Sequence, residues 1–149
     1  MATHRDFMGM ALEEAEAAAG EGEVPVGAVL ARDGEVLARD RNRRDKTGDP
    51  SAHAEILVLR QAGEQQGDWR LGGITLYVTL EPCPMCAGAI VLARVDTVVF
   101  GASDLEAGAG GSVYNILEDG KLGHRVRVIA GIMEDECRRV LDDFFDELR

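Results

Sequence analysis

The run Leu80-Glu-Pro-Cys-Pro-Met-Cys86 restricts what this chain can fold into more than any other segment. Gly72-Gly73 opens an apolar strand, Ile74 to Leu80, which Pro82 breaks, and Pro84 suits the first turn of a helix over roughly 84–93. Two thiols three residues apart at a helix start lie on one face of the first turn, close enough to share a metal ion. The helix N-terminus adds partial positive charge, which lowers thiol pKa and favours the ligating anion. A redox pair or half of a structural zinc site has the same spacing. A structural site needs a second pair, however, and Cys137 stands alone, reading as a small apolar residue in a helix.

The rest of the chain alternates between helical and strand patterns. Residues 5–20 carry Phe7, Met8, Met10, Ala11, Leu12 and Ala15 near helical spacing, and Gly20 and Gly22 stop the segment. Val24 to Leu30 and Glu35 to Ala38 read as strands joined by Asp33-Gly34, a strong hairpin signal. Residues 39–50 read as a polar loop, and Ser51 as the N-cap of a helix reaching Gln66. Val95 to Phe100 is a third apolar run, followed by a Gly-rich stretch to Gly111. A short helical turn at 113–117, a strand over Val126 to Ala130 and an amphipathic helix over Met133 to Leu148 complete the order αββαβαβ(α)βα. Two β–α–β crossovers put helices over both faces of one sheet, so the expected fold is α/β, a three-layer α-β-α sandwich around a mixed sheet of about five strands. No linker, repeat or low-complexity stretch interrupts residues 1–149, and one domain is expected.

Composition excludes several classes. With 149 residues, 46% hydrophobic and 29% charged, the chain can bury a core without staples and is neither disordered nor collagen-like. No apolar run approaches the ~20 residues of a membrane span. Asp6, Glu13, Glu14 and Glu16 interrupt the first twenty residues, so these do not read as a secretion signal. Three cysteines do not make a disulfide framework, and the expected compartment is the cytoplasm, with thiols free to bind metal.

A third ligand candidate stands thirty residues before Cys83, in His53-Ala54-Glu55. Both helix starts, near 51–53 and 82–84, follow segments that feed one sheet, and crossovers bring such starts to one edge, where ligands bind in open α/β folds. His53, Cys83 and Cys86 then supply three ligands and leave a fourth position for water, the pattern of a catalytic zinc. On a regular helix, residues i and i+2 point about 200° apart. His53 and Glu55 can therefore converge only on a site beyond the helix end. A carboxylate beside such a water, but off the metal, can move its proton.

With H-A-E and P-C-x-x-C both in place, the sequence resembles the zinc-dependent nucleoside and nucleobase deaminases. Its blocks Glu23-Val-Pro-Val-Gly-Ala-Val-Leu30, Asp49-Pro-Ser-Ala-His-Ala-Glu-Ile56, Thr75 to Ile90, Val98-Val-Phe-Gly-Ala-Ser-Asp104 and Asp143-Phe-Phe145, together with Asn42, are similar to those of the bacterial tRNA adenosine deaminase family over nearly the whole chain. The resemblance implies a cytidine deaminase-like fold, one Zn2+ per chain on His53, Cys83 and Cys86, and Glu55 as proton shuttle. It further implies that Asn42 contacts the purine, that the backbone of Ala54 helps seat it, and that the enzyme is a homodimer. The implied reaction is hydrolysis of adenosine to inosine at the wobble position of tRNA, with the base flipped out of the anticodon loop and ammonia released. The same metal set serves deaminases of free guanine, cytosine or nucleosides, and it would also suit a non-catalytic zinc-bearing partner subunit, although the intact Glu55 speaks against the latter.

A formal net charge of −11 argues, taken whole, against an RNA partner. Its distribution softens the objection. Residues 1–23 hold six acids and one base (−5), residues 134–149 seven acids and three bases (−4), and residues 24–133 fourteen acids and twelve bases (−2). Arg39, Arg41, Arg43, Arg44 and Lys46 cluster around Asn42 and form a candidate phosphate-binding edge. Arg43, Arg44, Lys46 and Asp104 are the candidate RNA contacts, with Lys121, Arg125 and Arg127 as further contributors. The acidic terminal helices are expected to face away from the RNA.

Overall fold

The computed structural model describes residues 2–148. In chain order the elements are α1 (His4–Gly20), β1 (Gly27–Arg32), β2 (Glu35–Arg41), α2 (Arg44–Thr47), α3 (Ala54–Gln66), β3 (Thr75–Leu80), α4 (Pro84–Leu92), β4 (Thr97–Ala102), β5 (Arg127–Ala130) and α5 (Glu134–Glu147). The described residues form one five-stranded sheet of order β2-β1-β3-β4-β5. β1 runs antiparallel to β2 and β3, while β3, β4 and β5 are mutually parallel. β2 and β3 therefore point the same way, and α3 and α4 are crossover helices between parallel strands. This is the expected mixed, five-stranded sheet of an α/β fold.

Neighbouring residues of the central strands bury opposite faces, as a pleated strand requires. Leu30, Leu76, Val78, Val98 and Phe100 pack with Val58, Leu59, Ala62, Ile90 and Val91 of α3 and α4. Val29, Tyr77, Val99 and Ala102 pack with Phe7, Met8, Ala11 and Leu12 of α1 and Cys137 of α5. Covered on both sides, these strands read as continuous apolar runs, and each buried Val, Leu or Ile contributes about 1.5–3 kcal/mol. Gly27 lets α1 lie directly on β1, because a Cβ there would stand 2.7 Å from the backbone nitrogen of Ala15.

Several boundaries differ from the sequence reading. The hairpin forms at Asp33-Gly34, both with positive φ, but β1 starts only at Gly27, since Val24-Pro-Val26 is irregular and the carbonyl of Val26 accepts from the amide of Asn42. The segment 39–50 is not all loop: β2 continues to Arg41 and α2 makes one helical turn. The N-cap of α3 is His53 rather than Ser51, whose hydroxyl donates to Asp49 instead. No helical turn forms at 113–117. The amides of Val113 and Tyr114 both reach the carbonyl of Gly108, and that of Ile116 reaches Ala109, so acceptors five to seven residues back replace the i−4 carbonyls.

Candidate active site

The ends of β2, β3 and β4 and the start of β1 lie at one edge of the sheet, and α3 and α4 begin there. His53 and Cys83 are the N-caps of these two helices, both with extended backbone and neither with a side-chain capping bond. Their side chains are thus free to point beyond the helix ends. Nδ1 of His53 lies 3.4 Å from Sγ of Cys86 and 3.7 Å from Sγ of Cys83. One ligand atom from each of the three residues falls within 4.8 Å of the others.

The cluster's electrostatics favour a cation. The thiol of Cys83 is lowered to about 4, chiefly by a hydrogen bond from Cys86 and secondarily by His53, against the opposing effect of burial. The thiol of Cys86 is pushed up by its negative neighbour and by burial, and the imidazole of His53 is raised by its bond to Cys83. Two thiols and an imidazole converge in a largely buried place, and a soft-to-borderline divalent metal matches that donor set.

Glu55 follows in the first turn of α3, 4% exposed. Burial raises its carboxyl to about 7. Because His53 sits outside the helix, the 200° separation expected within it does not apply, and both residues line one cavity. That cavity, of about 230 Å³, is walled by Val24, Val26, Asn42 and Arg44 on the β2 side and by Leu80, Glu81, Asp104 and Ala107 on the β3–β4 side. His53, Ala54, Glu55 and Cys83 complete its lining.

The other candidate residues are distributed unevenly. Asn42 is buried against the cavity. Its Nδ2 donates to the carbonyl of Val24 at 3.2 Å and its Oδ1 accepts from the amide of Arg44 at 3.1 Å, which fixes the amide plane. Arg44 reaches the cavity wall, and no carboxylate among the described residues pairs with it. The rest of the basic run is neutralised. Arg39 pairs with Glu13 and Glu14, Arg41 with Glu14 and Glu21, Lys46 with Glu21, and Arg43 with Asp40. The acids of α1 therefore do not face away from this edge, because its last turns lie across β2 and supply the counter-charges. Arg127 opens β5 in register with Thr97, at the sheet end opposite the cavity, and Arg125 and Lys121 precede it in the same connection. These three do not extend the edge around Asn42. Oδ1 of Asp104 accepts from the amides of Glu106 and Ala107 in its own turn.

Two buried carboxylates escaped the sequence reading. Glu23, 2% exposed, accepts from the amides of Asp45 and Lys46 at 3.1 and 2.7 Å and so anchors α2. Glu81, also 2% exposed, accepts from the backbone of Asp104, Gly110 and Ser112. Glu23 stands two residues before Pro25 and Glu81 directly before Pro82, each bordering an apolar run, and nothing local distinguishes either from a solvated glutamate.

Comparison with known proteins agrees with this geometry. A family model described as MafB19-like deaminase matches residues 2–149. The tRNA-specific adenosine deaminase of Bacillus subtilis is 50% identical over 143 residues, covering 96% of this chain and 89% of that protein. The chain belongs to the tRNA-specific adenosine deaminase family. The family member from Haemophilus influenzae is 45% identical, covering 96% of this chain and 83% of that protein. Among solved structures, a tRNA:A34 deaminase that performs A-to-I editing at the wobble position superposes with a TM-score of 0.88 and 46% identity, over 91% of this chain and 98% of that one. A guanine deaminase from Nitrosomonas europaea has a TM-score of 0.84 at 25% identity, over 97% and 85% of the two chains. The deaminase scaffold is thus shared by relatives that act on a free base and relatives that act on RNA.

Proposed function

We propose that this deaminase hydrolyses adenosine to inosine at the wobble position of tRNA, releasing ammonia, with one Zn2+ held by His53, Cys83 and Cys86. The observation that carries the reading is the buried carboxyl of Glu55 beside the His-Cys-Cys cluster, in a cavity sized for one base, in a chain 50% identical to a tRNA-specific adenosine deaminase. When bound, zinc supplies the Lewis acidity that makes hydroxide available at neutral pH. Glu55 accepts the proton released from water and gives it to the purine ring nitrogen. It then carries the second proton to the departing amine as the C6–O bond replaces the C6–N bond. A carboxyl near 7 suits both directions of transfer. Asn42, held by Val24 and Arg44, offers its remaining N–H and lone pair to the purine, and the buried backbone of Ala54 seats the ring.

Arg44 is the cation at the cavity wall that meets a phosphate flanking the flipped nucleotide. The enzyme works as a homodimer in the cytoplasm. The uncharged helix α4 leaves Met85 and Leu92 exposed, which supports a second copy covering it. No helix among the described residues is long and apolar enough to cross a membrane.

The test is incubation with an adenosine-34 anticodon stem-loop and, separately, with free guanine, cytosine and adenosine. Inosine in the RNA alone supports the reading, and ammonia from a free base replaces it with the small-substrate alternative. Sedimentation as a monomer at micromolar concentration would remove the dimer.

A further inference from the structure

The cavity has two lips, one following β2 and one following β4. The second lip, residues 103–112, has no regular secondary structure and contains Gly108, Gly110 and Gly111. Such a segment loses much backbone entropy when it is held in one conformation. It is nevertheless tied down from two sides. Oε1 of Glu81 accepts from the amide of Asp104 at 3.0 Å and from the hydroxyl of Ser112. Oε2 accepts from the amides of Gly110 and Ser112 at 2.9 and 3.0 Å. From the other side, the guanidinium of Arg138 in α5 donates to the carbonyl of Ser103.

A carboxylate has about four acceptor positions, and four donors from the lip occupy those of Glu81. Glu81 borders the cavity but has no acceptor left for a substrate. The packing is equally close: a Cβ on Gly108 would stand 2.5 Å from Oε1 of Glu81. The lip so held presents Asp104 and Ala107 to the cavity and leaves Leu105 80% exposed at its crest. A free base would fit inside the cavity, whereas a nucleotide still joined to its RNA has to pass between the lips.

We infer that Glu81 is a positioning residue for recognition of the polymeric substrate. It holds the 103–112 lip in its binding conformation before RNA arrives, so that binding does not have to order a glycine-rich loop. The inference rests on the reading of this cavity as the binding place of a flipped RNA nucleotide.

The test compares wild-type enzyme with Glu81→Gln and Ser112→Ala by three readouts. These are zinc per chain, amide hydrogen exchange over 103–112, and kcat and KM on the anticodon stem-loop. The Gln variant turns one acceptor into a donor that faces an amide N–H. Exchange at Asp104, Gly110 and Ser112 is expected to quicken at least about tenfold, with zinc retained. KM is expected to rise about tenfold and kcat to fall less than about threefold. Ser112→Ala keeps the carboxylate and is expected to show the same changes at about a third of the size, so it carries the test if the Gln variant does not fold. Unchanged exchange, or faster exchange with an unchanged KM, overturns the proposal, since a purely structural carboxylate would lower Tm without moving KM. A wild-type enzyme inactive on the stem-loop defeats the RNA reading, and with it the inference. A wild-type enzyme active on RNA whose Gln variant keeps its KM defeats the inference alone.

Discussion

His53 and Cys83 occupy equivalent positions on two different helices. Each is the residue just before the first helical turn, His53 with φ −73° and ψ 152° and Cys83 with φ −74° and ψ 172°. Extended backbone at an N-cap turns the side chain away from the helix barrel, and two parallel crossovers aim both caps at one point. Sγ of Cys83 and Nδ1 of His53 meet at 3.7 Å although thirty residues separate them.

Removal of either cap residue is expected to cost the metal. His53→Ala or Cys83→Ser leaves two donors, and zinc measured by atomic emission should fall from one per chain to less than about half. A bound zinc, with free zinc at 100 times its Kd, would add about 2.7 kcal/mol to wild-type stability. Chelation is therefore expected to lower Tm by about 5–10 °C for a chain of this size.

Glu55→Ala should separate chemistry from metal binding. Loss of a proton shuttle typically costs about 10²–10⁴-fold in rate. The expected outcome is a kcat on the stem-loop lower by that factor with one zinc still bound, and near-normal turnover would rule out the assigned role.

The basic run around Asn42 is expected to divide sharply by residue. Arg44→Ala should weaken RNA binding and reduce the slope of log K against log salt by about 0.7, the value for one phosphate on a single strand. Arg43→Ala should change the slope little, because Arg43 already answers Asp40 at 2.8 Å. Equal slopes for the two variants would contradict this division.

The contacts of Glu21 with Arg41 and Lys46 lower its carboxyl from 4.5 to about 2, hydrogen bonding to Arg41 being the larger cause. A depressed carboxyl stabilises the fold above its unfolded pKa, and that contribution disappears as pH falls through the folded one. Urea unfolding of wild type and Glu21→Gln should therefore differ most above about pH 4.5 and converge towards pH 2. A gap that widened on acidification would reverse the sign.

Gly27→Ala forces a methyl group against the backbone of α1 at Ala15. Overpacking of this kind costs about 1–3 kcal/mol, and the helix has to lift for the chain to fold at all. A Tm lower by about 2–12 °C in a scanning calorimeter is the expected result.

Most of the architecture and the reactive core could be read without coordinates. Helix and strand periods are local, as are the proline that stops β3 and the proline that starts α4. The spacing of Cys83 and Cys86 marks a candidate metal half-site, and H-A-E supplies the histidine that the fold brings to it. The Asp33-Gly34 hairpin forms because its backbone requirement is met by those two residues alone. Ser51 misled because residue type at a helix start does not reveal which residue turns extended, and Asp49 captured its hydroxyl. The helical turn at 113–117 failed because the carbonyls of Gly108 and Ala109, five to seven residues back, took its amides.

The candidate ligands, the candidate shuttle and the alternating elements can be picked out in the chain itself, because each motif that marks them, H-A-E, P-C-x-x-C or an apolar period, spans only a few positions. The fate of the charges was decided only by the tertiary structure. Of five basic residues that look like a phosphate-binding edge, Arg44 alone is left unpaired among the described residues, once α1 lies across β2 and brings Glu13, Glu14 and Glu21 to Arg39, Arg41 and Lys46, while Arg43 answers Asp40. Likewise, Glu23 and Glu81 become the anchors of the two lips only when the sheet edge brings distant amides within 3.1 Å of their carboxylates. A charge or a buried acid acquires its role from partners twenty or thirty residues away, and only the packed fold brings those partners together.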